Sequence, residues 1–255
     1  STKERLSPPK NQQTPVKQDL KDLTQNKPWI VLFVLALIIM MTITLRGSSG
    51  TFYLKYYVER ADLIGSFSMA YMLSLAFGAA LTPLLTKYID KRKLLIILMV
   101  IVSLLSFVFY FVPKENISTM YCLQIAIGLA LGPKSPLVYS MYADTVDYSL
   151  WKTGRRATAM IFSAAAFAQK LGGALAGGMM GWVLASLGYV ANQVQNGASE
   201  HGIVLLMTII PGIFAFIAVG VIWLYPLTDN KLIEIQKSIN NSTAIDKGNL
   251  ELGNV

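Results

Sequence analysis

The sequence predicts an all-α integral membrane protein of six transmembrane helices, and three observations carry that prediction. Of 255 residues, 54% are hydrophobic and only 14% charged, against about 25% charged in a soluble domain. The charges are bunched, leaving long stretches with almost none. Six such stretches, at 29–45, 67–85, 94–112, 120–142, 157–187 and 203–224, match the about 20 apolar residues that a hydrocarbon core about 30 Å thick requires. Hydrocarbon offers no partner to a free amide, so a spanning segment is a helix or part of a closed barrel. Barrel strands alternate in polarity over about ten residues. The run Leu94-Leu95-Ile96-Ile97-Leu98-Met99-Val100-Ile101-Val102 does not alternate.

Residues 1–27 read as a polar linker, least structured around Ser7-Pro8-Pro9 and Asn11-Gln12-Gln13, with a short amphipathic turn through Val16, Leu20 and Leu23. This opening is no signal peptide. Its first residue, serine, fits either a removed initiator or a piece of a longer chain. Residues 28–225 form the six-helix bundle and 226–255 a polar tail. After the first span, Gly47-Ser48-Ser49-Gly50 reads as a loop, and the aromatic run Thr51–Tyr57 beyond it as an interfacial belt. The other reading is a long, broken helix whose outer part lines a vestibule.

Basic residues alternate between the two sides. The head, the second and fourth connections and the tail hold sixteen, and the remaining connections hold Arg46, Lys55, Arg60 and Lys114. The positive-inside rule then places both termini in the cytoplasm. The net charge of +8 is therefore topological bias and attraction to anionic lipid. No base-reading module accompanies it, which argues against a nucleic-acid partner. Cys122 is the single cysteine and lies inside a span, so no internal disulfide is possible.

Two lysines fall within spans, and an ionisable residue at bilayer depth is a functional candidate by default. Lys170 lies 14 residues past Arg156, about 21 Å along a helix, and its face continues through Gly173, Gly177 and Gly181. Small residues of this kind let another helix approach. A lysine there serves a polar cavity, or snorkels, or pairs structurally. Lys134 sits between Pro133 and Pro136, whose freed carbonyls are tolerated only beside protein or a wet cavity.

The junction of the fourth and fifth spans carries Asp144 and Asp147, three apart on one helical face, followed by Lys152, Arg155 and Arg156. This is an ordinary helix end with a basic loop, or a charged latch that forms and breaks as the cytoplasmic side closes and opens.

Ala143-Asp144-x-x-Asp147-Tyr148, then Trp151-Lys152-Thr153-Gly154-Arg155-Arg156, then Phe162-Ser163 and Phe167-x-x-Lys170-Leu171-Gly172 together resemble the glycoside–pentoside–hexuronide:cation symporter family. The resemblance covers residues 28–230 as the family's last six spans, and makes residues 1–27 its central cytoplasmic loop. It implies the C-terminal half of a major facilitator fold, two six-helix halves around a midplane sugar site in the bacterial inner membrane. By position, Lys170 resembles the family's lysine near sugar and cation, and Asp144, Asp147 and Arg156 its cytoplasmic charges between halves. Lys134, Tyr139, Ser163 and Gln169 join Lys170 as substrate-facing candidates. The family's melibiose-transporting members have a sugar-stacking tryptophan at the position of Ser135 and a threonine at that of Ala166; Tyr139 offers an alternative aromatic face.

The implied partners are lipid, a sugar or glycoside, and an N-terminal six-helix half on the same or a separate chain. No cofactor is expected. The coupling Na+ or H+ would bind mainly in the other half, because no Asp or Glu lies deep in these spans. A membrane enzyme would need a nucleophile–base pair or a metal cluster; the one histidine, His201, has no carboxylate placed to work with it. A non-transporting truncated or assembly protein, and a carrier for a non-sugar solute, remain as alternatives.

Overall fold

The computed structural model describes residues 22–155, 158–229 and 231–239. All regular structure among them is helical. The first span, α1 (Lys27–Phe52), continues through a π-helical turn at Tyr53–Tyr57. The second is α2 (Ile64–Ala80) followed by the short α3 (Thr82–Thr86), and the third is α4 (Lys91–Tyr110). The fourth is divided into α5 (Ile117–Leu131) and α6 (Lys134–Thr153). The fifth is α7 (Thr158–Ser186), and the sixth is α8 (Gly197–Met207) plus α9 (Ile209–Trp223).

Five of these spans are long and apolar enough to cross a membrane by length and composition alone. The fourth falls short of that criterion because Gly132 and Pro133 interrupt it and its second helix carries Lys134, Asp144, Asp147 and Lys152.

Helix starts follow from side chains that accept the free amides of a first turn. Asn26 accepts from the Trp29 amide at 3.1 Å, with Pro28 beginning the helix. Asp90 accepts from Arg92 and Lys93 at 3.0 and 3.2 Å, and Asn196 from Ser199 at 2.7 Å. Gly154 ends α6 at φ 69°, a left-handed conformation that costs glycine little.

The first span is the core element. Leu32, Leu35, Ile39 and Leu45 are fully buried, because the fifth and sixth spans both pack against it. The third span packs on the sixth, the fourth on the third, and the second on the fourth. Glycines let the helices approach closely: a Cβ on Gly172 would sit 2.5 Å from the Leu37 carbonyl, ones on Gly78 and Gly132 would come closer still to the Leu129 and Leu75 carbonyls, and one on Gly128 would overlap the Ser74 hydroxyl. Spans two and five keep large apolar side chains exposed, among them Met69, Met72, Phe77, Phe167 and Trp182. In a bilayer such faces meet lipid or another helix.

One expectation is corrected. Gly47-Ser48-Ser49-Gly50 is not a loop: the helix runs through it, with Ser49 and Gly50 buried. Ser49 and Gly50 face the sixth span, with Ser49 Oγ 3.1 Å from the Leu206 carbonyl and Gly50 beside Met207, whereas Gly47 is exposed. Arg46, placed by the sequence in the first outer connection, is therefore inside the first span and fully buried. The outer connections keep Lys55, Arg60 and Lys114.

Candidate functional site

Spans one, four and five enclose a narrow cleft of about 20 Å³, lined by Ala36, Ile39, Met40, Lys134, Ser135, Val138, Tyr139 and Gln169. That is room for a single water. The division of the fourth span positions two of these residues. Pro133 ends the amide ladder, α6 restarts at Lys134, and Lys134 then points back toward the first span, its Nζ 3.9 Å from Met40 Sδ. One turn on, Tyr139 is 47% exposed, and its ring lies parallel to Phe162 at 6.5 Å and 11°. An aromatic face presented this way suits the apolar face of a sugar ring. Gln169 enters from the fifth span.

Lys170, next to Gln169, turns to the exposed side of α7, as does Ser163, whose hydroxyl donates to the Ala159 carbonyl at 2.7 Å. Ser163, Ala166, Phe167, Lys170, Ala174, Gly177 and Gly181 are all exposed. They recur at helical spacing, so the fifth span bears one uncovered stripe with an ammonium at its middle. Nothing lies within 4 Å of a Cβ built on Gly177 or Gly181. The structure thus brings together Lys134, Tyr139 and Gln169, and sets Lys170 and Ser163 on the face beside them.

The charged residues near the fourth–fifth junction bind elements of their own bundle. Asp144 accepts from Lys91 at 2.5 Å, and Lys91 also reaches Ser140 at 3.2 Å. Asp147 accepts from Gln236 at 3.4 Å. Lys152 donates to the Gln25 carbonyl at 2.9 Å, and Arg155 Nε to Asp22 at 3.1 Å. Arg156 lies outside the described residues. Asp90, besides capping α4, accepts the Asp229 amide at 3.2 Å. Burial, and then the charge of Asp90, push the Asp229 carboxyl above its ordinary value. The end of the head, the second and fourth connections and the start of the tail therefore meet at one end of the bundle. There Thr82, Thr86, Lys91, Ser140, Asp144 and Gln236 line an open cavity of about 600 Å³. The opposite end has fewer cations and is aromatic, with Lys55 on Asn192 at 2.8 Å, Arg60 on Asp62 at 2.7 Å and Tyr189 on Tyr56 at 3.0 Å.

Among the described residues no three His, Cys, Asp or Glu side chains are grouped to hold a metal. Sequence reasoning missed Arg46. Its signal was present: an arginine between Leu45 and four small residues, with apolar and aromatic residues resuming after them, marks a helix that continues.

A family model described as MFS/sugar transport protein matches residues 1–229. The chain is similar to the inner membrane symporter YicJ of Escherichia coli, at 30% identity over 241 residues, 94% of this chain and 52% of that protein. It is similar to the isoprimeverose transporter of Lactiplantibacillus pentosus, at 30% over 205 residues, 80% and 43% respectively. The glucuronide carrier protein homolog of Escherichia coli matches at 26% over 229 residues, 89% of this chain and 50% of that protein. The chain spans about half the length of these relatives.

Proposed function

Because the chain belongs to the major facilitator family of sugar transport proteins, we propose that it forms the C-terminal half of a symporter that couples a cation, Na+ or H+, to uptake of a sugar or glycoside by alternating access. The observation that carries this reading is the pairing of a polar, aromatic cleft (Lys134, Tyr139, Gln169) with an adjoining uncovered stripe that holds Lys170 and Ser163. An ammonium at this depth is costly against lipid. A second bundle laid over the stripe would turn the face into a solvated midplane site, where Lys170 and Gln169 donate to hydroxyls and Tyr139 stacks on the ring. The relatives' names point to glycosides as the substrate class.

The charged end is the cytoplasmic one by the positive-inside rule. There Asp144, Asp147, Lys152 and Arg155, with Arg156, act as the latch residues between closed and open states. Coupling requires a titratable group or a set of oxygen ligands. The described spans offer Arg46, Lys134 and Lys170 at depth and carboxylates only near their ends. The cation site therefore lies mainly in the N-terminal half.

Reconstitution tests this directly. The chain alone in proteoliposomes is expected to show no sodium- or proton-driven glycoside uptake. Together with an N-terminal six-helix half it should do so, and Lys170→Met should abolish that uptake while leaving the assembly intact. Robust uptake by the chain alone, or full uptake by the Lys170 variant, overturns the reading.

A further inference from the structure

The sixth span is broken at Thr208, whose φ of −121° and ψ of −78° depart from helical values. Pro211 has no N–H, so the Met207 carbonyl four residues earlier receives no helical donor from it. Within the hydrocarbon region an orphaned carbonyl costs several kcal/mol. The first span supplies the missing donors. Arg46 Nη1 donates to the Met207 carbonyl at 3.2 Å, and Ser49 Oγ lies 3.1 Å from the Leu206 carbonyl, its one proton shared with the Leu45 carbonyl of its own helix at 2.5 Å. From the third span, Ser103 Oγ donates to the Gly212 carbonyl at 3.0 Å.

Arg46 is wholly buried, at 0% exposure. Its remaining contacts reach two further spans: Nε donates to Gln124 Oε1 at 3.0 Å in the fourth, and Nη1 also lies 3.4 Å from Ser106 Oγ in the third. Its guanidinium carbon sits 5.1 Å from the centre of the Phe109 ring. These partners are all neutral dipoles or a ring. A buried cation without a carboxylate gains no Coulomb energy to offset its desolvation. A methionine or leucine would fill the same core at less cost, but neither can serve three spans at once.

We propose that Arg46 is the pin that locks the break in the sixth span to the first, third and fourth spans, so that these four move as one block. The planar guanidinium, whose donors are spread over three nitrogens in a fixed fork, suits this task, whereas a lysine's three donors all radiate from one nitrogen on a flexible stem. The pin belongs to the six-helix bundle itself and holds whether or not that bundle carries sugar.

A double-mutant cycle in the purified full chain in detergent tests the pin. In Pro211→Ala, residue 211 regains an N–H for the Met207 carbonyl, and that carbonyl no longer depends on Arg46. Arg46→Leu is expected to lower the melting temperature of the parent chain, with a drop at most half as large in the Pro211→Ala background. Equal drops in the two backgrounds overturn the proposal, as does an unchanged melting temperature in Arg46→Leu. If Arg46→Leu does not fold, Arg46→Gln and Ser49→Ala replace it, read by amide hydrogen exchange. Exchange then rises at least tenfold over residues 206–212 with the fifth span unchanged. Unchanged exchange at 206–212, or an equal rise throughout the bundle, sinks the idea.

Discussion

The Lys91 ammonium lies 2.5 Å from the Asp144 carboxylate, joining the start of the third span to the second helix of the fourth. Both side chains are mostly covered, with 21% and 13% of their surface exposed. The pair therefore sits between the surface case, about 0–1 kcal/mol, and the buried case, where removing one partner costs about 3–5 kcal/mol. Lys91→Met is expected to destabilise the chain by about 2 kcal/mol, and Asp144→Asn in the same background to restore much of that loss. Denaturant titration of the single and double variants checks this; additive losses would show that the two charges do not interact.

The glycines of the fifth span divide into two kinds. Gly172 meets the Leu37 backbone, whereas Gly177 and Gly181 face open space. Gly172→Val is expected to destabilise the isolated chain by about 3 kcal/mol, the upper end of overpacking effects. Gly177→Leu should leave its melting temperature unchanged but prevent co-purification with an N-terminal half. A Gly177 variant that still assembles would show that the partner does not cover this stripe.

The sequence made the membrane class, the six apolar segments and the division of charge legible, because bilayer thickness and charge asymmetry act on composition and need no tertiary detail. The fifth span was expected at 157–187, and the helix is Thr158–Ser186. The first span was underestimated because Gly47-Ser48-Ser49-Gly50 has the composition of a loop; that the helix continues there, with Ser49 and Gly50 against the sixth span, is a matter of packing that composition does not report. Arg46 was misplaced for the same reason. Lys134, Tyr139 and Gln169 were singled out separately, but their meeting in one cleft depends on how the fourth and fifth spans pack on the first. No local pattern reports that packing.

Asp229 supplies a pH test. Its carboxyl is raised by burial and then by Asp90, so the folded chain binds this proton more tightly than the unfolded chain does. The associated stability is present at low pH and is lost as pH rises through the folded value. Asp229→Asn keeps the backbone amide that donates to Asp90 and removes the penalised charge. It should raise the melting temperature at neutral pH and give no gain below the ordinary carboxylate range. Melting curves across pH decide the point; a variant less stable at neutral pH would mean that the Asp229 charge has a favourable partner instead.

The orientation of the bundle follows from an imbalance that the structure sharpens. With Arg46 moved into the core, three basic residues remain in the connections of the aromatic end, against sixteen assigned to the other side. Translocating a positively charged connection is disfavoured, so the end bearing Lys91, Arg155 and Asp229 should stay cytoplasmic. Cys122 is the only native cysteine and is exposed, so Cys122→Ser gives a clean background for single-cysteine probes. In intact cells a membrane-impermeant maleimide should label Asn192→Cys at once, and Lys237→Cys only after the membrane is opened. The reverse pattern would place both termini outside and remove the cytoplasmic assignment of the Asp144–Lys91 cluster. Equal labelling at both sites would mean that the chain inserts in two orientations, in which case the charge bias is too weak to fix the topology of this bundle without its partner.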